Sequence, residues 1–277
     1  MLNLIIGKSS NLSSHLEQKL DKTILISSQS IADSLSKIDF KIYSSINIIF
    51  NQFQVSTKLV TLDEPTTYIS RSIDSTAIVL EYIQKNNITI NKIIYTSSSS
   101  VYGNNIACDE LQDTNPLSLH SSLKYANEKL IELFCSTYKI DYSIVRIFNM
   151  YGGDDKFSII SKIIKIYKNN EVLNLINNGE AIRDFIHIDD VVQCYMEILK
   201  VREVPIINIG TSEGKSILYM LDFLRKNKID IKTKNIYKDE LKVSVSKNKI
   251  LLDILGGYSF KKVEEYLLDY INKLSIK

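Results

Sequence analysis

Short apolar runs alternate with segments of helical period along the first half of the chain. The apolar runs cover residues 2–6, 23–26, 46–50, 93–96 and 142–147. Between them, apolar residues recur at three- and four-residue intervals in residues 8–20, 31–38, 72–84 and 121–138. Short apolar runs are typical of strands buried on both faces, and their alternation with helices predicts parallel strands joined by right-handed crossovers. The pattern therefore predicts an α/β fold built on an open, doubly wound parallel sheet.

The pattern becomes less regular after residue 152. Helices are predicted at residues 157–167, 190–199, 216–226 and 263–274, and strands at 181–187, 205–209 and 242–245. These elements predict a smaller C-terminal lobe, so that residues 1–152 form the sheet domain and residues 153–277 a lobe partly interleaved with it. Asp189 and Asp190 precede or begin a predicted helix, where carboxylates accept hydrogen bonds from free N–H groups, and we expect them to cap it.

Composition excludes several classes of partner. The 277 residues carry a formal net charge of +2, which gives no electrostatic basis for binding nucleic acid or a membrane surface. No apolar run is long enough to span a membrane, and the first residues do not form a signal pattern. Cys108, Cys135 and Cys194 lack CxxC spacing, and His15 and His187 have no ligand partner at metal spacing, so we expect no disulfide framework and no metal site. These features favour a cytoplasmic protein.

The turn after the first apolar run resembles a dinucleotide-binding turn. Gly7, Ser10 and Ser13 occupy its three glycine positions, three residues apart. In such a turn, backbone N–H groups and a helix N-terminus meet a pyrophosphate. Two serines weaken the motif, and an ordinary turn between strand and helix remains an open alternative. Ser28 follows the second strand where an acidic residue would bind the adenosine ribose, so the choice between NAD and NADP stays open.

Bulky residues follow the third strand of the predicted sheet. Asn51, Gln52, Phe53 and Gln54 stand where small residues commonly let a dinucleotide pass over the strand end. Few elements also fit between the first and fourth strands, so we expect the adenine side of the cofactor pocket to be trimmed. Both features predict weak cofactor binding.

Residues 91–129 carry the strongest chemical signal. An apolar strand is followed by four serines and then by Gly103, where the chain can turn. The next predicted helix carries His120 and Lys124 in its first turns. This order brings hydroxyl groups at the carboxyl end of a strand near an imidazole and an ammonium. Such a combination is typical of a proton-transfer site in an open α/β sheet.

Five motifs in register give the chain a family resemblance. They are YTSSSSVYG at 95–103, NPLSLHSSLKYANEK at 115–129, VRIFNMYG at 145–152, NNGEAIRDFIHIDDVV at 177–192 and INIGTSEGKSI at 207–217. With them the chain resembles the extended short-chain dehydrogenases/reductases of the NAD-dependent epimerase/dehydratase family, which modify nucleotide-linked sugars. The resemblance implies a Rossmann-type fold and an NAD(P)-dependent 4-keto reductase or epimerase of surface-polysaccharide synthesis. It also implies a homodimer formed through the helices near 72–84 and 121–138.

The resemblance assigns roles to individual residues. Ser98 matches the catalytic Ser/Thr that hydrogen-bonds the sugar, and Lys124 matches the lysine that holds the nicotinamide ribose. Asn149 matches a residue that faces the substrate. Arg183 matches the arginine that binds the substrate diphosphate, for which a guanidinium fork is suited. The alternative for Arg183 is a surface ion pair with Asp184 or Asp189.

One catalytic position departs from the family pattern. The family's YxxxK is here His120-Ser-Ser-Leu-Lys124, while Tyr125-Ala-Asn-Glu-Lys129 fits the pattern in the wrong helical phase. A histidine beside an ammonium is mostly uncharged at neutral pH and a poor proton donor, though still a base. Slow catalysis, a lyase or dehydratase reaction with His120 as base, and loss of catalysis in a nucleotide-sugar binder or partner subunit all remain open.

Overall fold

The computed structural model describes residues 1–52 and 64–275, so Phe53 and Gln54 lie outside the described residues. The chain forms two compact units. The sheet unit comprises Met1–Gly103, Asp113–Ile147 and Cys194–Ile207, and the second unit comprises Asn104–Gln112, Phe148–Gln193 and Asn208–Lys277. The predicted division at residue 152 falls inside the second unit.

The helices and strands follow one another in alternation through much of the chain. In order they are β1 (Leu2–Ile6), α1 (Asn11–Glu17), β2 (Thr23–Ile26), α2 (Ile31–Ser36), β3 (Ile46–Phe50), α3 (Pro65–Ile69), α4 (Ser75–Lys85), β4 (Ile90–Ser98), β5 (Ala107–Cys108), α5 (Leu119–Tyr138), β6 (Tyr142–Ile147), β7 (Asn149–Tyr151), α6 (Ile159–Asn169), β8 (Leu173–Ile176), β9 (Ile182–His187), α7 (Ile188–Ile198), β10 (Ile206–Ile209), β11 (Gly214–Ser216), α8 (Ile217–Lys226), β12 (Thr233–Ile236), β13 (Val243–Ser246), α9 (Lys249–Leu255) and α10 (Val263–Ser275).

The predicted sheet is confirmed. Six strands pair in the order β10-β6-β4-β3-β1-β2, and β1 pairs in parallel with both β2 and β3. The chain therefore runs outward from β1 in one direction and resumes on its other side, which is the switch point of a doubly wound sheet. Among the described residues, a single strand, β2, lies beyond β1 in this sheet.

Three asparagines lie among the apolar residues of the sheet. Asn47 Nδ2 donates to Asn3 Oδ1 at 2.9 Å, and Asn91 Nδ2 donates to Asn47 Oδ1 at 2.7 Å. Asn3 Nδ2 in turn donates to the carbonyl of Asp21 at 2.8 Å. The three amides thus form a hydrogen-bonded chain across β1, β3 and the start of β4. Each amide in this chain has the hydrogen-bond partner that a buried polar group requires.

A buried ion pair fastens α5 to the sheet. Arg146 on β6 donates to both carboxylate oxygens of Glu128, at 3.2 and 2.7 Å, and both side chains are almost fully buried. Ser97 on β4 also donates to Glu128. The guanidinium lies 4.8 Å from the ring centre of Tyr102, a cation–π contact. Glu128 therefore fixes the rotation of α5 against two neighbouring strands.

The second unit is built around β9. Its five-stranded sheet has the order β11-β9-β13-β5, and β7 also pairs with β9. Tyr151, His187 and Tyr266 pack with ring centres 5.1 to 5.2 Å apart. Gly152 adjoins this group, where an added Cβ would lie 2.5 Å from His187 Nε2. The aromatic cluster therefore requires glycine at this position.

Several sequence predictions need correction. Not predicted were β5, β7, β8, β11, β12, α3 and α9, because strands of two to four residues and helices of five to seven residues show little periodicity. Asp190 does lie in the first turn of α7, but its carboxylate accepts from Tyr258 Oη at 2.8 Å and Lys261 N at 2.9 Å. The capping prediction is therefore wrong for Asp190, which ties a distant segment to the helix.

Arg146→Met is expected to lower the free energy of unfolding by about 3 to 5 kcal/mol, because it leaves the Glu128 carboxylate buried without its partner. The matched control is Arg225→Met, which removes an arginine from an exposed pair with Asp222 and should cost less than about 1 kcal/mol. Urea unfolding at pH 7 measures both changes. Equal losses in the two variants would contradict the prediction.

Candidate functional site

Ser98 ends β4 with its hydroxyl engaged in the following turn. Its Oγ accepts from Ser100 N at 3.2 Å and from Ser100 Oγ at 3.0 Å, and the side chain is half-buried. A serine hydroxyl also carries one proton that it can donate. Ser98 can therefore accept within its own turn and donate to a ligand oxygen.

A capping box fixes the start of α5. The Ser118 hydroxyl accepts from Ser121 N at 3.2 Å, and Ser121 Oγ accepts from Ser118 N at 3.0 Å. The cap sets where the helix begins, and residues four apart on a helix lie on one face. His120 and Lys124 are therefore stacked one turn apart.

Lys124 is buried and bound to the ends of two strands. Its Nζ donates to the carbonyl of Thr96 at 2.8 Å and to that of Gln52 at 3.1 Å. Burial lowers the pKa of Lys124 to about 8, against the opposing effect of the Glu128 carboxylate. The ammonium thus connects α5 to β4 and to the residues that follow β3.

His120 is held in its neutral form. Burial, and then the charge of Lys124, lower its pKa to about 4. At neutral pH the imidazole can accept a proton, but its protonated form is scarce. This agrees with the direction argued from the sequence.

The alternative YxxxK match lies on the solvent side of α5. Lys129 is exposed, pairs with Glu132 at 2.7 Å and lies 5.5 Å from the ring centre of Tyr125. Lys124, in contrast, reaches the strand ends. The geometry therefore favours the register with His120 and Lys124.

In the turn between β1 and α1, both serine hydroxyls have hydrogen-bond partners within the protein. Gly7 has φ +118°, and an added Cβ would lie 2.3 Å from the carbonyl oxygen of Asn51. Ser13 is fully buried and donates to the Gly7 carbonyl at 2.8 Å. Asn51 Nδ2 donates to Ser10 Oγ at 3.1 Å and to Ser13 Oγ at 2.9 Å. The turn therefore keeps the glycine backbone that a dinucleotide motif needs and absorbs the added hydroxyls.

Gln52 also turns its side chain into the protein. Its Nε2 donates to Ser75 Oγ at 3.0 Å and to Thr76 Oγ1 at 3.1 Å, both at the start of α4. The side chains of Asn51 and Gln52 thus bind partners within the sheet unit, which weakens the argument that these two residues oppose a cofactor there. Ser28 is half-buried in the turn after β2. Gly7 fits a dinucleotide-binding turn, whereas Ser10 and Ser13 each add a side chain at a glycine position. Both hydroxyls are hydrogen-bonded to Asn51, and that of Ser13 also to the Gly7 carbonyl.

The second unit holds the two predicted substrate residues. Asn149 Nδ2 donates to the backbone carbonyl of Asp184 at 3.0 Å. Arg183 pairs with Glu240, with 3.4 Å between Nη2 and Oε2. The ion pair that stood as the alternative to the diphosphate role thus forms with a residue far along the chain and not with Asp184 or Asp189. The sequence carries no signal for this partner.

Asp184 has a separate role in the second unit. Its buried carboxylate accepts from Thr211, Ser212 and Ser246 at 2.5 to 3.1 Å. An added Cβ at Gly210 would lie 2.5 Å from Asp184 Oδ2. Asp184 therefore joins β9, β13 and the loop before β11, next to Arg183.

The described part of the chain contains no candidate metal site and no candidate membrane-spanning helix. Within residues 1–52 and 64–275, no group of three His, Cys, Asp or Glu side chains could hold a metal ion. No helix there is both long and apolar enough to cross a membrane. Cys108, Cys135 and Cys194 are buried, and none of the three forms a disulfide within the described residues.

His120 is expected to make the fold less stable in acid. Its pKa is about 4 in the folded protein and about 6.5 when unfolded, so stability present above pH 6.5 is lost as the pH falls toward 4. Between pH 7 and 4.5 the wild type should lose about 1 to 2.5 kcal/mol more than His120→Gln, measured by urea unfolding. The same loss in both proteins would contradict this assignment.

The chain matches one protein family over most of its length. The model of the NAD dependent epimerase/dehydratase family matches residues 9–210. A Methanocaldococcus jannaschii protein provisionally named UDP-glucose 4-epimerase is 30% identical over 73% of this chain and 66% of its own length. The UDP-glucuronate 4-epimerase of Thermodesulfobacterium geofontis is 27% identical over 78% of this chain and 72% of its own length. The chain thus spans about two thirds of the length of the first relative.

Solved structures share the fold. The UDP-glucose 4-epimerase of Thermotoga maritima with UDP-glucose superposes with a TM-score of 0.82 at 19% identity, over 100% of both chains. The UDP-glucuronic acid 4-epimerase of Bacillus cereus, in complex with UDP-glucuronic acid and NAD, gives 0.80 at 23% identity, over 99% of this chain and 100% of the other. The sheet topology, the register of α5 and the match over residues 9–210 agree: this chain belongs to the NAD dependent epimerase/dehydratase family.

Proposed function

We propose that the protein is an NAD(P)-dependent enzyme that modifies a nucleotide-linked sugar, as a 4-keto reductase or an epimerase, in surface-polysaccharide synthesis. The observation that carries the proposal is the anchoring of Lys124 at the ends of β3 and β4, one helical turn from His120. The names of the relatives add support, since they act on UDP-sugars. An odd number of cysteines without CxxC spacing favours the reducing cytoplasm as its place of action.

The cofactor proposed for this chain is NAD or NADP. When bound, it would supply hydride transfer to or from a sugar carbon. Gly7, Ser10 and Ser13 would meet the pyrophosphate, and Ser28 the adenosine ribose. Lys124 would hold the nicotinamide ribose. The NAD present in the Bacillus cereus epimerase supports this assignment, and a serine at residue 28 is compatible with either cofactor.

Ser98 and His120 would handle the proton in this proposal. The Ser98 hydroxyl donates a hydrogen bond to the reacting sugar oxygen. Neutral His120 accepts a proton from a sugar hydroxyl during oxidation, but it is a poor donor to the alkoxide formed in ketone reduction because its pKa is about 4. Loss of a positioned acid costs about 10²- to 10⁴-fold in rate.

Two residues of the second unit would bind substrate. Asn149 faces the sugar, and the Arg183 guanidinium pairs with the diphosphate, whose oxygens suit its planar fork. The relatives and neighbours that carry UDP-sugars in their names support this role.

A second candidate function is a nucleotide-sugar binder or partner subunit that has lost catalysis. The neutral state of His120 favours it, because an imidazole with a pKa of about 4 cannot replace a tyrosine as proton donor. Ser10, with its side chain at a glycine position, supports the same reading.

His120→Tyr is expected to raise kcat by about 10²- to 10⁴-fold, because it restores the proton donor beside Lys124. The assay uses UDP-glucose, UDP-glucuronate or a 4-keto sugar nucleotide with NAD(H) or NADP(H). His15→Tyr is the matched control and should leave the rate unchanged. Turnover by wild type at a higher rate than by His120→Tyr would contradict this mechanism. No turnover by either protein would overturn the enzyme proposal and leave the binder.

We also propose that the chain forms a homodimer through α4 and α5. Ile78 on α4 and Leu133 on α5 are 39% and 69% exposed, so each of these two helices presents a large apolar side chain to solvent. Light scattering should give twice the chain mass for wild type and the chain mass for Leu133→Glu. Leu111→Glu, an exposed leucine outside both helices, is the control. A monomeric wild type would rule the dimer out.

A further inference from the structure

Arg183 already has a carboxylate bound to its guanidinium. Its Nη2 lies 3.4 Å from Glu240 Oε2, and its Nη1 donates to the carbonyl of Ile182 at 2.9 Å. The side chains of Arg183 and Glu240 are 22% and 19% exposed, so solvent reaches both. A carboxylate and a phosphate offer the same pair of oxygens to a guanidinium. Glu240 therefore occupies part of the contact that a phosphate group would need.

Glu240 is held in this position by a neighbouring side chain. Asn177 Nδ2 donates to Glu240 Oε1 at 3.0 Å and to the carbonyl of Lys238 at 2.6 Å. Asn177 Oδ1 also accepts from Lys238 N at 3.2 Å. Asn177 thus ties residues 238–240 beside Arg183.

The pair can open without disturbing the core. A cavity of about 440 Å³ adjoins Glu240 and is lined by Asn104, Ile106 and residues 239–243. The ion pair is long and partly exposed, and such pairs contribute little to stability. The carboxylate therefore has room to leave the guanidinium at small cost.

We propose that Glu240 is a built-in competitor for the phosphate group at Arg183. This inference rests on the proposed function, in which Arg183 binds the diphosphate of a nucleotide sugar. Each binding event displaces Glu240 from the guanidinium and brings two phosphate charges near its carboxylate. Glu240 thereby lowers the affinity for the nucleoside diphosphate and speeds its release.

The test is titration calorimetry of the full chain with UDP. Glu240→Gln keeps an oxygen for Asn177 but loses the charge, and it should bind UDP about three- to tenfold more tightly than wild type. Asp239→Asn removes the neighbouring exposed carboxylate and is the matched control, for which no change in affinity is expected. In an Arg183→Gln background, Glu240→Gln should change the affinity less than twofold. Thermal unfolding confirms that each variant is folded.

The outcomes separate this inference from the proposed function. UDP binding by wild type with equal or weaker binding by Glu240→Gln would overturn the competitor role and leave the substrate class intact. An equal gain in Asp239→Asn, or an undiminished gain without Arg183, would show a general charge effect and also overturn it. Failure of every folded variant to bind UDP would overturn a UDP-linked sugar as the substrate and, with it, the competitor role against UDP.

Discussion

The buried ammonium of Lys124 is the contact on which the arrangement of the sheet unit's site depends. It donates to backbone carbonyls at the ends of β3 and β4. These two hydrogen bonds fix the position of α5 relative to both strands. Glu128, one turn further along α5, fixes the same helix through Arg146 and Ser97. The helix is thereby held in one rotation, with Lys124 directed toward the ends of β3 and β4.

The cost of burying these charges explains the chemistry of the site. Lys124 loses hydration, and its pKa falls to about 8 even with Glu128 nearby. The same burial and the charge of Lys124 keep His120 neutral. A tyrosine at this position would lose its proton more readily beside Lys124, whereas a histidine holds on to its neutral form. The lysine lowers the pKa of either side chain, but deprotonation makes a tyrosine anionic and leaves a histidine neutral.

The polar residues that follow β1 and β3 are hydrogen-bonded within the protein. The serines of the first turn and Asn51 form one hydrogen-bonded group, and Gln52 binds the start of α4. From the sequence, each of these residues counted against a cofactor. Their partners lie 23 to 41 residues away along the chain. Because the side chains are bonded to these partners, they weigh less against cofactor binding than the sequence indicated.

The sequence by itself determined the elements that repeat, because a buried strand and a packed helix each impose a period on the chain. It therefore predicted β1, β2, β3 and β6 at their observed bounds and the parallel sheet. Tertiary structure alone decided the rest. The partner of Arg183 lies 57 residues away, Asp190 binds residues near the C-terminus, and three-residue strands exist only because β9 offers them an edge. Such contacts leave no local pattern, since their energy comes from groups that meet only when the chain has folded.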